Sequence, residues 1–297
     1  MTVDAHHHLW RAGDGYTWLD EPSLAPIRRT FTPADLRAAI ATTDVRRTVL
    51  VEGGRCDRAE AAVLLDHARA TPEIAGVVAW ADPTSTDLPA VLRDYRALPG
   101  GERLVGIRAQ VQGEERDYLD RPDVRRGLDA IGADGLAYDL VVRVDQLPAA
   151  ARAAHDLPHV RFVLDHLGKP RIRAGAAGFA EWHAAVAPLA AAPNATAKLS
   201  GLVTEADPAG WTVEDLRPYV VAAVDLFGPR RLMFGSDWPV CLLAASYGRV
   251  RSALDEALPP LSEEDGAAVF GGTATAVYRL NALAEADVDP SRRHPWR

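Results

Sequence analysis

Short runs of apolar and β-branched residues recur along the chain at 2–6, 48–52, 74–80, 104–111, 137–142, 160–165, 195–199 and 232–235. Between them lie longer stretches in which Ala, Leu and Arg alternate at helical spacing. Near-continuous apolar strands interleaved with amphipathic helices are what a parallel sheet covered on its outer face requires. Eight such units predict a closed (β/α)8 TIM barrel in a single domain. Helix starts are marked by caps and first-turn prolines: Thr32-Pro33 opens 34–41, Arg121-Pro122 opens 123–131, and Thr212 precedes 213–226. After the eighth strand, 247–258, 263–270 and 273–284 read as closing helices. The barrel then spans 1–286, and the polar, Pro-containing stretch 287–297 is a C-terminal tail.

A barrel makes a claim about chemistry, because its active site lies at the C-terminal ends of the strands. Those ends carry His6 and His8, Glu52, Trp80 with Asp82, Arg108 with Gln110, Asp165 with His166, Lys198 with Ser200, and Asp237. A strand alternates its side chains, so His6 and His8 share one side and His7 faces the wall. Glu52 is followed by the surface loop Gly53-Gly54-Arg55 and stands outside the candidate site.

Composition narrows the classes. Hydrophobic residues make up 48% and charged residues 25%, as in ordinary globular chains. The net charge of −8, with no basic run, argues against a nucleic-acid platform. No apolar stretch reaches the roughly 18 residues of a membrane span, and no basic-then-apolar leader opens the chain, so the expected location is cytoplasmic. Two distant cysteines, Cys56 and Cys241, build neither a disulfide framework nor a Cys-based zinc site. Homo-oligomerisation stays open.

The segments His6-His7-His8, Asp165-His166-Leu167-Gly168-Lys169-Pro170, Lys198-Leu199-Ser200-Gly201 and Gly235-Ser236-Asp237-Trp238-Pro239 follow one another in that order. Together they resemble the amidohydrolase-related family of the amidohydrolase superfamily, in its sugar-lactonase branch typified by L-fuconolactonase and L-rhamnonolactonase. The resemblance runs from Asp4 to about Leu283 and implies hydrolysis of a cyclic ester. It implies His6, His8, His166 and Asp237 as the catalytic core and Arg108 as a substrate-binding arginine. Similar lactonases tend to carry a histidine directly after that arginine; this chain has Ala109. Lys198, Trp80, Trp211 and Trp238 complete the substrate-binding candidates, the indoles as platforms for the C–H face of a sugar ring.

Two mechanisms stay open. In one, no cofactor is strictly required: Asp237 acts as general base and the histidines with Arg108 stabilise the oxyanion. In the other, His6, His8, His166 and Asp237 bind one divalent ion such as zinc, which activates water. Superfamily members with two metals usually add a lysine on strand four and a histidine on strand five; strand four here offers no lysine and 137–142 no histidine, so the resemblance implies no binuclear centre. The partner is a small-molecule lactone. The alternative is another superfamily reaction, on a different cyclic ester or as metal-dependent decarboxylation of an aromatic acid, and a non-catalytic binding barrel ranks last.

Overall fold

The computed structural model describes residues 1–280. Its eight strands are β1 Thr2–His7, β2 Val45–Val51, β3 Ile74–Trp80, β4 Leu104–Ala109, β5 Ala137–Leu140, β6 Arg161–Leu164, β7 Ala195–Leu199 and β8 Leu232–Phe234. Each pairs in parallel with the next in chain order. The barrel closes just beyond β8, where His7 bridges Trp238, Asp237 N–H donates to His6 O at 2.8 Å and His8 N–H donates to Trp238 O at 2.7 Å. The (β/α)8 expectation holds.

Helices coat the outside: α1 Pro33–Ile40, α2 Arg58–Ala70, α3 Leu88–Ala97, α4 Pro122–Ala133, α5 Leu147–Asp156, α6 Gly175–Ala190, α7 Leu202–Glu205, α8 Val213–Phe227, α9 Tyr247–Ala257, α10 Glu263–Ala267 and α11 Thr273–Val277. The expected caps form. Thr32 and Asp35 make a reciprocal box in which hydroxyl and carboxylate satisfy opposite backbone N–H groups, and Asp215 accepts both the backbone N–H of Thr212, at 2.7 Å, and its hydroxyl, at 2.9 Å. The expected helix over 263–270 gives way after Ala267 to a wider turn over Ala268–Gly272. The later part of 273–284, and the tail 287–297, lie outside the described residues.

Two differences at strand ends have local causes. β2 starts three residues earlier than its apolar run, because the Arg46 and Arg47 side chains can leave the sheet; Arg47 donates to Leu280 O at 2.8 Å. β8 stops at Phe234 because Gly235 is where β1 and the residue after β7 come close. A Cβ there would lie 2.9 Å from the Cβ atoms of both His6 and Ser200.

Small β-branched side chains fill the barrel. Val3, Ala5, Val49, Val51, Val78 and Val163 pack together, with Tyr278 and Leu280 beneath them. Val3 and Ala5 face inward, whereas Asp4 reaches out to Tyr247 of α9, accepting its hydroxyl at 2.8 Å. Simple alternation would then send His7 inward. A register shift between Asp4 and His7 gives β1 one extra residue against β2, and after it the parity flips. His7 turns to the wall and meets Thr48 Oγ1 at 2.9 Å, while His6 and His8 face the mouth.

Candidate active site

Four side chains converge at the mouth. His6 Nε2 and His8 Nε2 are 3.1 Å apart. Asp237 Oδ1 lies 3.5 Å from His8 Nε2, 3.7 Å from His6 Nε2 and 3.9 Å from His166 Nε2. All four residues are buried. They are delivered by unusual backbone. His166, Leu167 and Lys169 have φ of 53°, 52° and 53°, Gly168 lies between them at 76°, and Asp237 is at 56°. The left-handed region costs a non-glycine L-residue about 1–2 kcal/mol, and such residues persist where the surroundings over-determine them. Gly201, itself at φ 65°, makes room for this turn, since a Cβ there would sit 2.6 Å from His166 Nδ1.

Asp4 anchors the other side. Buried beneath the Asp237 turn, it accepts Ser236 N–H at 2.8 Å, Ser236 Oγ–H at 2.6 Å and His6 N–H at 3.1 Å. One carboxylate therefore ties the end of β8 to the histidine strand. Burial pushes its pKa up, against the pull of those hydrogen bonds.

Behind the floor lies a lattice of buried charge. Arg108 Nε donates to Glu52 Oε1 at 2.6 Å, Nη2 to Glu52 O at 2.6 Å and Nη1 to Asp165 Oδ2 at 2.9 Å. Lys198 Nζ reaches Asp139 Oδ2 at 2.5 Å and Asp165 Oδ1 at 2.8 Å, and Tyr278 donates its hydroxyl to Asp139. Burial works against the charges of Arg108 and Asp165, but their partners prevail: Glu52 and Asp165 raise Arg108, and Lys198, His6 and Arg108 hold Asp165 well below the usual carboxylate range. Asp139 goes the other way, pushed up to about 6 by burial despite Lys198.

This lattice changes several sequence expectations. Arg108 touches the cavity wall but is 3% exposed, with its donor fork engaged by Glu52 and Asp165. Lys198 is fully buried and does not line the cavity. Glu52, set aside because a loop follows it, is buried and also accepts Gln110 Nε2 at 2.5 Å. Among the indoles, Trp238 is buried edge-on against Phe31, and Trp211 donates to Ala244 O at 3.0 Å beneath Arg249. Neither lines the mouth cavity. Trp80 borders an adjoining cavity of about 360 Å³ that shares Cys56 and Gln110 with it. The indole on the main wall is Trp18, in the connection between β1 and α1, where Nε1 donates to Gly53 O at 2.8 Å. It sits in a turn-rich segment with no strand-end signal, so position in the sequence did not single it out.

The main cavity has a volume of about 400 Å³ and is walled by His8, Trp18, Gln110, His166, Lys169 and Asp237. Desolvation keeps two of the imidazoles neutral: His6 falls well below its ordinary value and His166 to about 4. For Asp237 burial alone would raise the pKa, but His166, His8 and Lys169 outweigh it and keep the carboxylate ionised. Neutral His6 and His166 therefore stand beside one carboxylate.

Neutral imidazole and ionised carboxylate are also the protonation states a divalent ion demands. His6, His8 and Asp237 bring ligand atoms within 4.8 Å of one another. Tetrahedral ligands at about 2.0–2.1 Å from zinc stand roughly 3.3 Å apart, close to the separations here. His8 Nδ1 meets Val51 O at 2.9 Å, an acceptor only, so Nδ1 carries a proton and the neutral tautomer leaves the Nε2 lone pair for an ion. His166 Nδ1 meets Ser200 Oγ at 2.8 Å. His6 Nδ1 faces a donor, Lys198 Nζ at 3.1 Å, and an acceptor, Asp165 Oδ1 at 3.3 Å, so either tautomer has a partner. The donor set fits a single ion.

A parallel (β/α)8 barrel with a three-histidine, one-aspartate centre at its C-terminal mouth is the class that fold and site define. The amidohydrolase family model matches residues 3–280. The chain belongs to the amidohydrolase family. It is 39% identical to an L-fucono-1,5-lactonase of Burkholderia ambifaria over 94% of this chain and 96% of that protein. It is 39% identical to another of that name from Burkholderia multivorans, over 96% and 98%. A crystal structure of an amidohydrolase from Burkholderia multivorans with bound zinc superposes with a TM-score of 0.88 at 36% identity, covering 94% of this chain and 99% of that one.

Proposed function

We propose that the protein opens a sugar lactone, an aldonolactone or a close cyclic ester, to its hydroxy acid. The observation that carries the reading is the Asp237 carboxylate, held 3.5–3.9 Å from His8, His6 and His166 at the wall of a cavity of about 400 Å³. The likeness to L-fucono-1,5-lactonases over nearly the whole chain supports the same chemistry.

Asp237 accepts a proton as water adds to the lactone carbonyl, so a C–O bond forms and the carbonyl oxygen gains charge. Collapse of that adduct breaks the ring C–O bond, and the proton held by Asp237 returns to the departing ring oxygen, leaving acid and free hydroxyl. His166 offers Nε2–H to the carbonyl oxygen when Ser200 donates to its Nδ1. Arg108 acts from behind, fixing Glu52 and Asp165, and through Asp165 the position of His6. Where one divalent ion is bound, His6, His8, His166 and Asp237 hold it, and such an ion supplies Lewis acidity and a more acidic water.

Purified protein assayed for proton release on a panel of aldono-1,4- and aldono-1,5-lactones, with and without chelator, tests the reading. Turnover that survives chelation assigns catalysis to the side chains alone. Loss that zinc restores assigns it to the metal-loaded site. No turnover of any lactone overturns the proposal.

A further inference from the structure

Among the chain's 33 Lys and Arg residues, only Lys169 and Lys198 are lysines, one at this mouth and one in the lattice behind it. Lys198 is consumed by Asp139 and Asp165. Lys169 is different. Its side chain makes no hydrogen bond or ion pair among the described residues, yet it lines both the main cavity and an adjoining one of about 550 Å³. The other cations of that second cavity are paired, Arg143 with Asp145 at 3.2 Å and Arg171 with Glu181. Glu205 and Asp237 feel the charge of Lys169, but neither comes within ion-pair distance of it. Four consecutive left-handed residues, His166 to Lys169, carry it there on the same turn that presents His166. An unpaired, half-buried ammonium delivered by costly backbone to a reaction cavity is a group without a resident partner.

We propose that Lys169 is the anion-binding group of this site: its ammonium takes the carbonyl oxygen as charge develops on it, and then the carboxylate of the product acid. The inference rests on the lactone reading. The substrate is neutral and the product anionic, so a fixed positive charge favours the transition state and the product over the bound lactone. The guanidinium expected in this role, Arg108, has its donors engaged elsewhere.

The test uses Lys169→Asn, which removes the charge but keeps a residue tolerant of left-handed backbone, and Lys169→Arg, which keeps it. Loss of an oxyanion donor lowers kcat by about 10²-fold or more, so Lys169→Asn should fall by that order while KM stays within about threefold. Inhibition by the product aldonate should weaken about tenfold in Lys169→Asn and stay near wild type in Lys169→Arg. Amine acylation followed by peptide mass analysis gives a readout on the unmutated protein, because Lys198 is fully buried: aldonate should slow modification of Lys169, and the neutral alditol of the same sugar should not. Unchanged kcat and aldonate affinity in Lys169→Asn, or no protection of Lys169 by aldonate, overturns the assignment while leaving lactone hydrolysis intact. Aldonate protection of Lys169 in a protein that turns over no lactone would uphold the anion site and remove the lactonase reading instead.

Discussion

Two neighbouring sets of charged residues share the barrel mouth and have opposite fates. In the inner lattice, Arg108, Lys198, Glu52, Asp139 and Asp165 neutralise one another at 2.5–2.9 Å. On the cavity face, Asp237 keeps only histidines at 3.5–3.9 Å, and Lys169 has no partner among the described residues. Residue type does not distinguish the sets, since each holds a lysine and an aspartate. Saturation does: a charge whose partners are complete holds structure, and one left short has capacity for a substrate.

The sharpest way to break this comparison is Asp237→Asn. Asparagine tolerates the left-handed backbone and fills the same volume, so the unfolding free energy should stay within about 1 kcal/mol of wild type while kcat falls about 10³–10⁴-fold. A large stability loss in urea titration would place Asp237 with the lattice instead. Asp165→Asn should do the converse. It leaves Lys198 and Arg108 each short of a buried counter-charge, at a cost of about 3–5 kcal/mol read from the same titration. Acid should act on the lattice in the same sense: Asp165 is held well below its unfolded value, so its contribution is present above about pH 4 and is lost as pH falls.

Glu60 offers a gentler probe. It supports the Gly53 loop from below, accepting Gly53 N–H at 2.7 Å and Tyr16 O–H at 2.9 Å, and its Oε2 has no hydrogen-bond partner among the described residues. Burial, with Glu52 adding to it, raises its pKa from 4.5 to about 7. The native protein then binds a proton that the unfolded chain has released, so this group makes stability fall as pH rises from about 4.5 to about 7. Glu60→Gln should flatten that part of the curve, and an unaltered slope would show that Glu60 is ionised in the fold. The smallest effect is expected at Trp211, which lies off the cavity: Trp211→Ala should change kcat/KM on the preferred lactone by less than about threefold, whereas Trp18→Ala, on the wall, should raise KM.

Much of the candidate site's geometry was legible in the sequence. Strand alternation paired His6 with His8, and the strand-end rule collected His166 and Asp237 from residues as far apart as 6 and 237. Glu52, Asp4 and Trp18 were not readable in the same way. Glu52 looked like the start of a surface loop because its partner, Arg108, lies 56 residues away. Asp4 looked like strand filler until β1 met β8 and placed Ser236 against it. Arg108 and Lys198 were found as residues, but as substrate contacts, because a sequence displays charges without displaying which of them are already matched.

Hydrophobic periodicity is a local property, and it was enough to determine the alternation of strands and helices, their count and hence the barrel. Tertiary structure alone decided three things: the register shift that turns His6 and His8 toward the mouth, the pairing of Arg108 and Lys198 with buried acids, and the exposure of Lys169 to the cavity. Each depends on distances between residues far apart in the chain, which closure of the barrel sets and no local pattern encodes.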